Sequence, residues 1–334
     1  MNNTNLKEIL KEYEQKRLSV EMELAQKKQA IYLSNPLLKK VEDELNSYAF
    51  STVKSILSKP SENYLSDLEK RINDLKIEKQ NIINSLNLDY DLSTPNYECK
   101  ICNDTGFIQG DNSSILCNCI KQKLFNIEYN KSNIGNLEKE NFEKFNLNIY
   151  SDEINIEKYN SNISPRENIK NIKSICENFI KNFDNPDEKN LLFTGNTGLG
   201  KTYLSNCIAK ELLSKGKTVL YQTSSVMLDN IIDFKFGKSP SKDIYNSILD
   251  VDLLIIDDLG TESINNIKFS ELFNIINNRL LNQHNHITKT IISTNLSLKN
   301  LFAVYDERIV SRFVGYYNIC KFFGDDIRFK KGSN

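Results

Sequence analysis

The first ninety residues set apolar positions against charged ones with the period of a helix. Leu6, Leu10, Tyr13, Val20, Leu24 and Ile31 follow steps of three and four, with Arg17 and Lys27 interrupting the series. A second series runs Leu65, Leu68, Ile72, Leu75, Ile82 and Leu86, broken at Lys79. Pro36 and Pro60 fall between the periodic stretches, so the pattern predicts about three helices packed as a hairpin or small bundle. Interrupted heptads bury little. The region reads equally well as a self-contained bundle with solvated charges and as a docking surface for another protein's helices.

From about residue 160 the pattern changes to short apolar runs separated by amphipathic stretches. SPRENIKNIKSICENFIKNF opens with a capping box, Ser164 as N-cap, Pro165 at the first helical position and Glu167 closing it. Four strands are predicted: NLLF (190–193), KTVLYQ (217–222), DLLIIDDLGTE (252–262) and HITKTIISTN (286–295). Leu253 to Ile256 is uninterrupted, as in a strand covered on both faces. KTYLSNCIAKELLSKG between the first two strands is helical with a glycine stop, and KFSELFNIINNRLL carries Leu272, Ile275, Ile276 and Leu280 on one face. Arg279 beyond that face is left open between a salt bridge and a contact to a neighbour. Alternating strands and helices predict an α/β domain around a central parallel sheet.

A chain of 334 residues is long enough for about two domains. Forty-three basic against 44 acidic residues leave no global positive field, so any nucleic acid must meet a local patch. No apolar run reaches about eighteen residues, so no spanning helix is predicted and a cytoplasmic location is expected. Seven cysteines in a reducing compartment are then thiols or metal ligands. Cys99, Cys102, Cys117 and Cys119 bunch in a polar, Gly- and Asn-containing stretch, and four thiolates suit one tetrahedral zinc ion or, less simply, an iron–sulfur cluster. Their spacing, C-x-x-C then C-x-C, departs from the commonest ribbon. Cys176, Cys207 and Cys320 read as core packing, and His284 and His286 as exposed loop residues.

Between the first strand and its helix lies FTGNTGLGKT. Gly195, Asn196, Thr197, Gly198, Leu199 and Gly200 form the turn whose backbone N–H groups face phosphate oxygens. Lys201 reaches the outer phosphates, Thr202 binds magnesium, and Tyr203 follows. Asp257 and Asp258 end the third strand, where parallel sheets bind ligands. Asp257 is placed to hold magnesium or its water shell and Asp258 to polarise the attacking water. Asn295 ends the fourth strand, near the γ-phosphate. Arg308 and Arg312 share a helical face and Arg328 lies near the chain end. An arginine from a neighbouring subunit accelerates phosphoryl transfer by roughly 10³ to 10⁵, so self-association belongs to the expected mechanism; the bland alternative pairs these arginines with Glu307 or Asp325. Lys235, Phe236 and Lys238 give a basic stretch with an aromatic, the pattern of sequence-blind single-strand binding.

The order GNTGLGKT, LLIIDDLGTE, IISTN, ERIVSRF and GDDIR, with SPRENI ahead of it, resembles the bacterial replicative-helicase loaders of the DnaC/DnaI type, in the IstB-like branch of the AAA+ superfamily. The resemblance covers about residues 160 to 330, and the cysteine region and helical front resemble the family's less uniform N-terminal part. It implies an AAA+ P-loop NTPase binding ATP or ADP, with Lys201 and Thr202 in Walker A, Asp257 and Asp258 in Walker B, Asn295 as sensor 1, Arg312 as arginine finger and Arg328 as sensor 2. Arg308 can exchange roles with Arg312, and Asp258 stands where many AAA+ proteins have glutamate. The implied plan is a helical partner-binding region over 1–92, a zinc module over 93–125, a linker over 126–160 and the ATPase domain over 161–334. The implied partners are a replicative helicase and single-stranded DNA. A transposition helper ATPase of the IstB type is the near alternative, and a zinc-stabilised adaptor with static ATP the distant one.

Overall fold

The computed structural model describes residues 3–57, 62–86, 92–110, 113–128, 137, 139–237, 243–263, 265–281 and 286–329. It divides into two compact units, one of residues 8–115 and the other of residues 1–7 with 116–334. No helix among the described residues is long and apolar enough to cross a membrane.

The front of the chain is helical as its periodicity predicts: α1 (Asn3–Ser34), α2 (Pro36–Leu57) and α3 (Glu62–Ser85). Pro36 opens α2, where its missing N–H costs nothing. Ile31, Leu38 and Leu92 are buried with Tyr32, Ile82, Ile83 and Leu86 packed on them. Arg17 and Lys27, which break the apolar series, pair one turn away with Glu21 and Glu23. Pro60 lies outside the described residues. A small hairpin follows, β1 (Phe107–Gln109) with β2 (Ser114–Leu116).

In the larger unit, α4 (Asn118–Glu128) and α5 (Ile156–Tyr159) precede a repeating strand-and-helix order. It runs α6 (Pro165–Lys181), β3 (Asn190–Thr194), α7 (Lys201–Ser214), β4 (Val219–Thr223), α8 (Ser224–Lys235), α9 (Asp243–Asp250), β5 (Leu253–Leu259), α10 (Asn266–Leu281), β6 (Lys289–Thr294), α11 (Leu298–Val304), α12 (Glu307–Tyr316) and β7 (Tyr317–Lys321). The strands form one parallel sheet in the order β4-β5-β6-β3-β7. The α/β class and the central parallel sheet are as expected, with β7, which carries Cys320, as a fifth strand.

Period-two alternation sorts the strand residues between two cores. Leu191, Phe193, Tyr221, Leu253, Ile255 and Ile291 face α6 and α7, with Ile172, Phe179, Leu204 and Ile208 among their partners. Leu192, Leu220, Leu254, Ile256 and Ile292 face the other way, onto Ile231, Ile248, Leu272, Ile276 and Phe313. Ser164 caps α6, its Oγ accepting the Glu167 N–H at 3.2 Å.

The stretch expected to be a linker is different. Tyr150 is buried, and Phe142, Phe145, Leu147 and Ile149 pack against the core that α6, α7 and the sheet share, so by residue 140 the chain is already part of the larger unit. Weak periodicity hid these apolar residues because they come from two single-turn 3-10 helices, Phe142–Lys144 and Leu147–Ile149, too short to set up a repeating face. α4, which carries Cys119, also packs on the larger unit. Its Gln122 carboxamide accepts the Val219 N–H at 2.7 Å and donates to the Val219 carbonyl at 3.0 Å, pairing the exposed edge of β4 as another strand would.

Among the described residues Arg279 has no salt-bridge partner, and it is not on the surface. It is 1% exposed, and its guanidinium donates to the carbonyls of Ile248, Leu249, Val251, Asp252 and Lys289 and to Thr290 Oγ1. Burial pushes its pKa down to about 10. It ties the end of α9 to the starts of β5 and β6.

Candidate nucleotide-binding site

At the carboxyl end of β3 the chain turns through the glycine loop into α7. Gly200 holds φ of +94°, and a Cβ there would lie 2.5 Å from Tyr150 Oη, which itself donates to the Leu199 carbonyl at 3.1 Å. Gly198 holds φ of +72° and a side chain would overlap the Asp326 carboxylate. Only glycine serves at either place.

Lys201 follows and is 6% exposed. Its Nζ donates to the Gly195 carbonyl at 2.6 Å, the Asn196 carbonyl at 2.8 Å and Asn295 Oδ1 at 2.8 Å. Burial pushes its pKa down to about 8, against the pull of Asp258 and Asp257. Adjacent strands explain the meeting with Asn295, since Thr194 at the end of β3 lies level with Thr294 at the end of β6.

Thr202 Oγ1 donates to Asp257 Oδ2 at 3.2 Å. The two acids sit at a bulge, for the β5–β6 register shifts between Ile256 and Leu259, and Asp258 takes a left-handed φ of +54°. The kink turns Asp258 into the pocket while Asp257 stays 5% exposed. Burial, and then the Asp257 charge, raises the Asp258 pKa.

A cavity of about 340 Å³ is lined by Thr197 to Tyr203, Asp258, Asn295, Arg328, Glu140 and Ile327. The glycine loop, lysine, second acid, strand-end asparagine and terminal arginine expected from the sequence thus meet in one place. Arg328 is held there by Asp326, which takes its guanidinium at 2.9 and 2.5 Å, not by Asp325. Asp325 pairs instead with Lys158. Arg308 and Arg312 are not among the lining residues. Arg308 is paired to Asp306 at 2.9 Å, not to Glu307, and Arg312 donates to Asn277 at 3.3 Å; both lie over the Phe273 ring.

Sequence reasoning missed Glu140, Tyr150, Tyr221 and Asp326 at this site. A tyrosine in an otherwise apolar strand was the available signal for Tyr221, because a buried phenol needs a partner.

The four cysteines also meet. Their sulfur atoms all lie within 4.8 Å of one another, and none of the seven cysteines is in a disulfide. Asn103 and Asp104 turn the chain with left-handed φ of 50° and 54°, and the Asp104 carboxylate accepts the Glu98 and Cys99 N–H groups, both at 2.8 Å. In the basic stretch, Phe236 is 63% exposed, whereas Lys235 Nζ is turned to the buried Glu271 at 2.5 Å. Lys238 and His284 lie outside the described residues; His286 is exposed, as expected.

Residues 140–332 match the family model of the IstB-like ATP binding protein. The replicative helicase loader DnaC of Escherichia coli (strain K12) is 26% identical over 144 residues, 42% of this chain and 56% of the relative. The chromosomal replication initiator protein DnaA of Buchnera aphidicola subsp. Cinara cedri is 35% identical over 113 residues, 33% of this chain and 24% of the relative. A crystal structure of the DnaC helicase loader aligns at a TM-score of 0.42 with 24% identity, covering 53% of this chain and 96% of that one. The chain spans about half the length of the curated loader it matches. With the family model covering more than half of the residues, the chain belongs to the IstB-like ATP binding proteins, and it is similar to DnaC-type helicase loaders over 144 residues.

Proposed function

We propose that this chain is an ATP-hydrolysing loader of the replicative DNA helicase, gripping the helicase through its helical front and single-stranded DNA through its ATPase unit during replication initiation. The observation that carries the reading is the meeting of Lys201, Asn295, Asp258 and Arg328 around one cavity beside the Thr202–Asp257 pair. Phosphates lie on the N–H groups of residues 195–202, and Lys201 leaves the Gly195 and Asn196 carbonyls for a phosphate oxygen. Thr202 and Asp257 take the magnesium ion of magnesium–ATP; a hydroxyl already against a carboxylate is the oxygen donor set that a hard cation prefers. Asp258 orients the attacking water, and Asn295 contacts it and reads the γ-phosphate. Arg328 steadies the phosphates from the same chain.

Arg312, outside its own pocket, serves the pocket of a second copy, with Arg308 beside it. Self-association is then a condition of turnover. Phe236 is the stacking surface for a base, with Lys235 contributing only the charge Glu271 leaves it. The sulfur cluster fits one zinc ion, since Zn–S bonds of about 2.3 Å separate tetrahedral sulfurs by roughly 3.8 Å, inside the observed limit. Four thiolates fill the shell, so this ion folds its module and takes no part in hydrolysis.

Retention of the host's replicative helicase on immobilised full-length chain tests the assignment. Retention with ATP and its change on hydrolysis are expected. A chain that turns over ATP with single-stranded DNA and retains no helicase is a transposition helper or another member of the family.

A further inference from the structure

The Asp257 carboxylate is wrapped by hydroxyls from both sides of its strand. Tyr221 on β4 donates to Oδ2 and Ser293 on β6 donates to Oδ1, while Thr202 reaches Oδ2 from α7. The Asp258 N–H adds a bond to Oδ1 at 3.2 Å. Tyr221 and Ser293 are 2% and 0% exposed, and neither is among the residues lining the nucleotide cavity. In the ladder Tyr221 is level with Ile255, two residues before Asp257, so only a side chain as long as tyrosine spans the gap along the strands.

The donors are unequal. Thr202 is the hydroxyl that a metal ion at the phosphates also requires, and on binding it must turn from the carboxylate to the ion. Tyr221 and Ser293, sealed behind the cavity, have no such second duty. Were Thr202 the only side-chain donor, its departure would leave a buried carboxylate free to rotate and poorly solvated.

We propose that Tyr221 and Ser293 are positioning residues for magnesium–ATP: from two flanking strands they fix the Asp257 carboxylate, so that it stays aimed when Thr202 leaves it. Ser293 does more than Tyr221. Its Oγ also accepts the Asp258 N–H at 3.1 Å, so one hydroxyl sets the side chain of the first acid and the backbone of the second, at the left-handed kink. This inference rests on the magnesium–ATP reading of the site.

The test is binding of a fluorescent ATP analogue to the full-length chain, titrated with magnesium and repeated in EDTA. A hydroxyl-to-carboxylate hydrogen bond is worth roughly tenfold or more, so Tyr221→Phe should raise the half-saturating magnesium concentration about tenfold, with affinity in EDTA within about twofold of wild type. Ser293→Ala should shift it likewise and also lower turnover at saturating magnesium, because the Asp258 amide loses one of its two acceptors; Ser293→Thr, which keeps the hydroxyl, should restore both. Tyr305→Phe is the control for simple loss of a buried phenol, since Tyr305 donates to a different carboxylate, Glu262, and its removal should leave the magnesium dependence in place. Should Tyr221→Phe fail to fold, Ser293→Ala carries the same measurement. Wild-type magnesium dependence in a folded Tyr221→Phe or Ser293→Ala chain overturns the proposal. A wild-type chain that binds no nucleotide in magnesium overturns the reading of the site itself, a distinct result.

Discussion

Lys201 and Asn295 are hydrogen-bonded at 2.8 Å across the mouth of the nucleotide cavity, one from the start of α7 and the other from the end of β6. Replacing Lys201 with alanine should reduce ATP affinity by about ten- to a hundredfold, the loss of a charged partner to phosphate. Asn295→Ala should bind nearly as wild type yet turn over at least about tenfold more slowly. Equilibrium binding and single-turnover hydrolysis separate the two.

The lysine's pKa of about 8 gives ATP affinity a pH dependence. Phosphate oxygens favour the charged ammonium, so binding raises the pKa and takes up a proton. Above pH 8 the bound form holds more protons than the free form, and affinity should fall with rising pH, by at most about tenfold per unit. Folding runs the other way. An unfolded lysine near 10.5 keeps its proton after the folded one has released it, so stability of the nucleotide-free chain gains between about pH 8 and 10.5. Titration calorimetry across this range checks the first sign, and Lys201→Arg should flatten both dependences.

Arg279 concerns stability alone. Arg279→Met should cost about 3 kcal/mol or more, because five backbone carbonyls lose a charged donor in the interior. Denaturant unfolding measures it. A loss below about 1 kcal/mol would mean that water replaces the guanidinium.

Much of this was legible in the sequence, and the failures share a cause. The glycine loop, both acids and Asn295 are short-range signals that strand ends present to one another, so their meeting follows once the sheet is parallel. Arg279 was ambiguous because a lone arginine on a helix says nothing of the carbonyls that converge on it from distant turns, Ile248 to Asp252 upstream and Lys289 downstream. Residues 140–150 were read as linker because apolar residues in single-turn helices carry no period. Tyr221 looked like a strand residue and is one; its hydroxyl's partner lies on the next strand.

Arg312 should act between subunits. Arg312→Ala alone should retain ATP binding and lose roughly 10³-fold in turnover. Mixed with Lys201→Ala, it should regain part of the activity, because one copy supplies an intact pocket and the other an intact arginine. No recovery in mixtures contradicts action in trans.

The cysteine cluster should bring one equivalent of zinc with the purified chain, measured by mass spectrometry of the metal. Chelation, or Cys102→Ser, should unfold the cysteine region and leave ATP binding to residues 140–329 intact. Iron with sulfide in place of zinc would assign a cluster.

The central claim is tested most directly by measuring the replicative helicase assembled on closed circular single-stranded DNA. With ATP, the wild-type chain should raise the DNA-bound helicase several-fold and Lys201→Ala should not. Equal amounts of bound helicase with and without the chain would contradict the account.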